Sequence, residues 1–382
     1  MPHLIVKDFA AAKTPFEKDG VTFLFASIEK EGVVGVQIGK IKFLLCFCAY
    51  ENRTILKVDK ATRPPFLEAI KRALISFAQA SGATILYKNF DEIKALRDRR
   101  NFYEPIEFLA SYDQKTPLWI ETGFGSGRHI LQNAKSFADK LHLGVEIHRP
   151  SAERLLKRVE AESLNNIAVV VCDAKALFAA LPSLCAQKIF IHFPVPWNKS
   201  PKRRVFSRSF LGEALRVLTA NGVLNFRSDD QIYFDDALAI AREFKGVSIE
   251  IKQNAEAITR SKYEDRWRNM NKTIFDLFLT KERSQTREDF AYDFSFPSGD
   301  LSKKDLPYGL IAISESFLLR AGERWRLANK GLIVRLIMGD LLALETLYLL
   351  IEEGRASYFP SAPLPTRQNY AAHRALIESL YA

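Results

Sequence analysis

The sequence predicts an α/β fold: a mostly parallel sheet covered by helices over residues 118–282, preceded by an α+β region (1–105) and followed by a β-rich, mixed region with a final helix (290–382). Three observations carry this reading. From Leu118 onward, short apolar runs alternate with amphipathic stretches at helical spacing, the pattern of repeated βαβ units. Between the first such run and its helix lies a glycine turn, Glu121-Thr-Gly123-Phe-Gly125-Ser-Gly127. The length of 382 residues, with 47% hydrophobic and 26% charged residues, suits two or three globular domains and leaves little room for disorder.

In chain order, β-rich runs at Val21 to Ile28, Val33 to Cys48 and Thr54 to Val58 precede a helix in which Phe66, Ile70, Leu74 and Phe77 share a face. Pro64 and Pro65 suit its first turn. The parallel sheet takes strands at Leu118 to Thr122, Leu141 to His148, Ile167 to Cys172, Lys188 to Phe193 and Gly222 to Ser228, with a late strand near Thr273 to Leu279. Helix faces at Ile130/Ala134/Phe137, Ala152/Leu155/Val159 and Phe206/Phe210/Ala214/Leu218 cover it. Beyond the polar stretch Lys281 to Asp289, runs at Leu310 to Leu318 and Leu332 to Met338 read as strands, and Arg367 to Tyr381 as a closing helix.

The net charge of +10 and pI near 9.3 favour a polyanionic partner. Cys46, Cys48, Cys172 and Cys185 form no CxxC pair, and with six scattered histidines they give no zinc-like spacing, so no metal is expected. The start of the chain lacks a signal-peptide core, which favours the cytosol. Gly331 to Ile351 is apolar but carries Arg335, Asp340 and Glu345, each costing roughly 2.5 to 3.5 kcal/mol at a bilayer centre, so no membrane span is expected. No protein partner can be inferred.

The glycine turn lets a ligand approach the main chain, or it is only a tight structural turn. Arg128 stands where a dinucleotide GxGxxG fingerprint needs its last glycine, and Glu121 precedes the first one. An acid followed by three alternating glycines suits S-adenosylmethionine, whose ammonium pairs with a carboxylate and which has no pyrophosphate. Glu146 ends the second strand, where a carboxylate accepts from both ribose hydroxyls. Asp173 follows the third, where it could accept from the adenine amine. Each acid alone is equally readable as a helix cap or a solvated charge; together they follow three successive strand ends. The cofactor expectation is therefore S-adenosylmethionine, held by Glu121, Gly123, Gly125, Gly127, Glu146 and Asp173 on a Rossmann-like sheet.

After the fourth strand comes Phe193-Pro-Val195-Pro-Trp197-Asn198-Lys199, then the bases Lys202, Arg203, Arg204 and Arg208 with no acid among them. A solvated charge run is one reading. Beside Trp197 and the cofactor edge, phosphate contacts next to a base-stacking aromatic are the other. The set ETGFGSG, GVEIH, CDA, FPVPWNKSPKRR and RSDD, with SKYED from Ser261, resembles the bacterial tRNA (guanine-N7)-methyltransferases over about residues 120–281. That resemblance implies tRNA as partner, methyl transfer to N7 of guanine 46 in the variable loop, and substrate contacts by Lys199, Asp229, Ser261, Lys262, Tyr263 and Glu264.

The family usually has Pro-Asp-Pro-Trp; here Val195 replaces the aspartate, and Ser261 replaces a threonine. Guanine N7 carries a lone pair and no proton, so its attack needs no general base, and alignment supplies much of the rate. Asp229, at the end of the fifth strand, is then the candidate catalytic anchor for the guanine edge, or else a cap for the helix that follows. Methylation of another RNA, a protein or a small molecule is one alternative. A catalytically inactive RNA-binding protein that retains the fold is another.

Overall fold

The first strands alternate as half-buried strands should: Leu4 and Val6 point inward, Ile5 and Lys7 outward. The computed structural model describes residues 1–95, 100–255, 272–283, 289, 291–302, 304 and 306–382. The chain folds as two compact units, Met1–Asp98 together with Tyr292–Ala382, and Arg99–Ala291.

The N-terminal part of the first unit contains β1 (His3–Lys7), β2 (Phe16–Lys18), β3 (Val21–Ala26), β4 (Gly32–Ile38), β5 (Ile41–Tyr50), β6 (Arg53–Val58), α1 (Leu67–Ala80) and β7 (Thr84–Lys88). The strands form one antiparallel sheet in the order β2-β3-β4-β5-β6-β1-β7. The expected single run Val33 to Cys48 is a hairpin instead. Ile38 pairs with Ile41 across Gly39-Lys40, and Gly39 takes the left-handed φ of 55° that such a two-residue turn needs. Helix α1 begins at Leu67, because Phe66 stays extended, so both prolines lie upstream of it. Its Ile70, Leu74 and Phe77 seal one sheet face with Leu4, Val6, Phe23, Leu45 and Leu56. Burial pushes the Cys46 thiol up to about 12, with Asp59 adding to it, so that thiol is protonated at neutral pH.

The second unit contains β8 (Phe102–Tyr103), α2 (Pro105–Ser111), β9 (Leu118–Thr122), α3 (Arg128–Ser136), β10 (Leu141–Val145), α4 (Arg149–Ala161), β11 (Ile167–Val170), α5 (Ala174–Ala180), β12 (Ala186–His192), α6 (Arg208–Val217), β13 (Leu218–Ser228), α7 (Gln231–Arg242), β14 (Val247–Gln253) and β15 (Phe275–Lys281). The sheet order is β14-β15-β13-β12-β9-β10-β11-β8. Strands β8 to β13 run parallel and β14 and β15 antiparallel. Because β9 lies between β10 and β12, the winding reverses at its C-terminal end, the place where α/β sheets open a ligand crevice. The pairing of β8 with β11 draws the chain from about residue 100 into this unit, ahead of the expected start at 118. Asp289 also belongs to it: its carboxylate accepts from Ser183 N (2.8 Å) and pairs with Arg216 (3.3 Å).

The chain then returns to the first unit with β16 (Gly309–Ile313), β17 (Phe317–Arg326), β18 (Leu332–Asp340), β19 (Ala343–Glu352), β20 (Arg355–Phe359) and α8 (Arg367–Tyr381). The expected strand Leu310 to Leu318 is broken in two, since Ser314 Oγ accepts from Ser316 N and Phe317 N and turns the chain. The apolar stretch 331–351 is the β18-β19 hairpin. The two flanks share a core in which Phe25, Val33 and Leu44 pack with Leu327, Ile333, Tyr348 and Phe359. Among the described residues, no helix is long and apolar enough to cross a membrane, and no group of ligand-type side chains could hold a metal ion.

Candidate functional site

The C-terminal ends of β9, β10 and β11 collect the glycine turn and the three acids. Gly123, Gly125 and Gly127 all take left-handed φ (66°, 52° and 71°). A Cβ on Gly127 would come within 2.6 Å of Leu155, so close packing of α4 also requires that glycine. Above Gly123 a Cβ would meet nothing within 4 Å, and above Gly125 only the Gly123 carbonyl at 3.9 Å. The turn therefore leaves open space over its backbone.

Glu146 is buried and braces that turn. Its Oε2 accepts from Gly125 N at 3.1 Å and its Oε1 from His148 N at 2.9 Å. Glu121, also buried, is held by His129, whose Nδ1 lies 2.8 Å from Glu121 Oε2. Asp173 is exposed and caps α5, accepting from Lys175 N at 2.7 Å. Two buried carboxylates beside a main-chain opening fit a nucleoside that carries an ammonium group: one acid for a cation, one for vicinal hydroxyls.

The loop after β12 separates the expected phosphate contacts from one another. Lys199 and Lys202 are exposed. Arg208 is exposed and pairs with Glu243 at 3.3 Å. Arg203 lays its guanidinium over the Trp197 ring, 3.6 Å from the centroid, so one face of the expected stacking platform is already covered. Arg204, expected on a phosphate, is only 3% exposed and turned inward. It donates to Pro196 O (2.6 Å), to Asn198 Oδ1 (2.8 Å) and to Asp236, and lies over Tyr233. A guanidinium with all three nitrogens engaged inside the protein is a brace for the loop, and that expectation is corrected. The same loop holds Phe193 and Trp197 at positive φ (50° and 46°), conformations a non-glycine residue keeps only when its surroundings fix them. Val195 is 61% exposed at the tip.

Asp229 is not the cap of α7. Asp230 takes that place, accepting from Tyr233 N at 2.8 Å, while Asp229 Oδ2 pairs with Lys272 Nζ at 2.8 Å. Ser261, Lys262, Tyr263 and Glu264 lie outside the described residues.

A polar row that sequence reasoning missed crosses the sheet beside this edge. His192 Nε2 lies 2.6 Å from Asn225 Oδ1, Asn225 Nδ2 donates to Asp276 Oδ1 (3.4 Å), and Arg227 faces Asp276 at 3.7 Å. Since a carboxylate cannot donate, the asparagine amide points at Asp276 and its oxygen at His192, which puts the imidazole proton on Nε2. Burial, with His129 and Arg227 nearby, pushes His192 well below the usual imidazole pKa. The available signal was polar residues in otherwise apolar strand ends: Asn225 and Arg227 two apart in β13, and His192 closing β12.

Residues 115–277 match the family model described as a putative methyltransferase. Over its whole length the chain is 38% identical to the tRNA (guanine-N(7)-)-methyltransferase of Wolinella succinogenes, covering all of both proteins. It is 35% identical to that of Helicobacter pylori strain ATCC 700392 / 26695, over 98% of each, and 33% identical to that of Campylobacter fetus subsp. fetus, over 100% of this chain and 99% of the other. The likeness thus extends through both flanks, beyond the span 120–281 over which motifs carried the resemblance. The parallel sheet, the glycine turn with its acids and these full-length relatives lead to one conclusion: the chain belongs to the tRNA (guanine-N7)-methyltransferase family of RNA methyltransferases, whose methyl donor is S-adenosylmethionine.

Proposed function

We propose that this protein methylates N7 of guanine 46 in the variable loop of tRNA. The observation that carries the reading is the meeting, on one sheet edge, of the braced carboxylates Glu121 and Glu146 with Asp229 and the exposed bases after β12. In this reading Glu121 receives the donor's ammonium, Glu146 its ribose hydroxyls and Asp173 its adenine, while Gly123, Gly125 and Gly127 let it lie on the main chain. When bound, the donor supplies an electrophilic methyl group on a sulfonium. Asp229 anchors the guanine's N1 and amino edge, with Lys199 and the Ser261 to Glu264 segment as further substrate contacts. Lys202, Arg203 and Arg208 take phosphates, and Arg204 keeps the loop that carries them in shape.

No side chain has to remove a proton, because N7 has none to lose. The protein's task is to hold N7 in line with the methyl carbon, worth roughly 7 to 11 kcal/mol in favourable cases, and to face the cationic product with a carboxylate. Val195 brings no charge to the loop tip, so in this reading Asp229 takes that role. The test incubates protein with labelled S-adenosylmethionine and unmodified tRNA, followed by chain cleavage at N7-methylguanosine and mapping of the cut. Label without such cleavage overturns the N7 assignment, and a cut elsewhere overturns position 46. Donor binding without transfer favours an RNA-binding protein that has lost catalysis.

A further inference from the structure

One face of the N-terminal sheet is closed by α1; on the other, Leu44 of β5 packs against the C-terminal flank, but the stretch over Cys48 and Tyr50 of β5 and over β6, β1 and β7 is half-buried to exposed and has a composition not explained by folding. Register fixes its rows. Cys48, Ile55, Ile5 and Tyr87 stand side by side across the four strands. On one side of that row Lys57 pairs with His3, and on the other Arg53 pairs with Tyr50 and Lys7 with Thr84. Tyr50 is 57% and Tyr87 51% exposed, and Lys7, Arg53 and Lys57 are exposed. The Tyr87 ring is partnered by His3, with centroids 5.8 Å apart. None of the four strands, IKFLLCFCAY, RTILKV, HLIVK and TILYK, carries an acid; the nearest in sequence, Asp8, Glu51 and Asp59, stand in the flanking turns.

A solvated strand face ordinarily mixes both signs of charge and keeps large rings covered. Here two open tyrosines lie on the two outer strands of the face, three strand spacings or about 14 Å apart across it and one row apart along it, with two isoleucines between those strands. Cations flank the row on both sides. Aromatic rings on a sheet give bases a surface to stack on, and surrounding cations neutralise the phosphates that come with them. We propose that this face is a second RNA-binding surface, on which unpaired nucleotides of the tRNA stack against Tyr50 and Tyr87 while Lys7, Arg53 and Lys57 hold the backbone. It rests on the reading above that tRNA is the substrate.

Two variants of the full chain test it: Tyr50→Ala with Tyr87→Ala, and Lys7→Ser with Arg53→Ser and Lys57→Ser. For each, the affinity for unmodified tRNA is measured by anisotropy over a salt series, alongside calorimetric binding of S-adenosylhomocysteine and the Tm. The tyrosine pair is expected to weaken tRNA binding about tenfold or more. The cation variant should lower the slope of log affinity against log salt by about 0.7 for each single-strand phosphate that is no longer neutralised. S-adenosylhomocysteine binding and Tm stay at wild-type values in both. If tRNA affinity remains within twofold of that of a wild-type protein that binds tRNA and the salt slope is unchanged, this surface is refuted while the substrate reading stands. A wild-type protein that neither binds nor methylates tRNA removes the substrate reading, and this surface with it.

Discussion

The two halves of the ligand edge are built on opposite principles. Over β9 to β11 the charged groups are acids whose positions are set by hydrogen bonds to backbone and to one imidazole: Glu146 under Gly125, Glu121 beside His129, Asp173 on a helix start. Over β12 and β13, Asp229 and Asp230 apart, they are bases on a loop, and the loop consumes part of its own charge. Arg204 is taken up by Pro196, Asn198 and Asp236, while Arg203 lies over Trp197 and keeps its charge exposed. A run of like charges is thus an upper bound on what a partner meets, because some of it holds the loop together.

The largest effect should come from the acidic half. Glu146→Ala removes the acceptor of Gly125 N and the proposed ribose contact together. Removing charge-assisted hydrogen bonds of about 1.5 to 3 kcal/mol each should weaken S-adenosylhomocysteine binding tenfold to a hundredfold or more by calorimetry. Unchanged affinity would break the comparison at its firmer end.

Next comes the division within the basic run. Arg204→Ala should lower stability to chemical denaturation by about 1.5 to 3 kcal/mol, discounted because Asp236 is half exposed and returns to water. Lys202→Ala should leave stability within about 0.5 kcal/mol and reduce the salt dependence of tRNA binding. Equal behaviour of the two in both assays would show that the run acts as one surface.

Between the halves, His129→Gln tests whether the imidazole positions Glu121. The variant should weaken S-adenosylhomocysteine, whose amino acid part meets Glu121 in our reading, by about tenfold. Methylthioadenosine, which lacks that part, should bind as before, and equal weakening of both would mean general loosening of the turn.

The smallest expected effect is on pH. His192 is held neutral in the folded protein, so its folded pKa is below its unfolded one. Stability is complete above the unfolded value near 6.5 and falls as pH drops toward the folded value, because the unfolded chain then binds a proton the native state refuses. His142 and His373 are lowered by burial as well and contribute in the same direction. His192→Asn should therefore flatten, without abolishing, the fall in Tm between pH 7 and 5; an unaltered slope would mean that His192 is not among the groups responsible.

Sequence by itself determined the βαβ order, the glycine turn and the three acids at strand ends, because period and special φ are local properties of the chain. It also gave the closing helix, since Arg367–Tyr381 is capped by its own Thr366. What needed three dimensions was everything set by partners distant in the chain. That both flanks build one core, that Asp276 meets Asn225 across β13 and β15, and that Arg204 reaches Asp236 are long-range pairings to which no short motif refers. The hairpins within Val33 to Cys48 and Leu310 to Leu318 were local, but their turns, Gly39-Lys40 and residues 314–316, were hidden inside runs of high β propensity. Only the tertiary structure decided which charges are free, because a side chain's availability depends on what else has already claimed its hydrogen bonds.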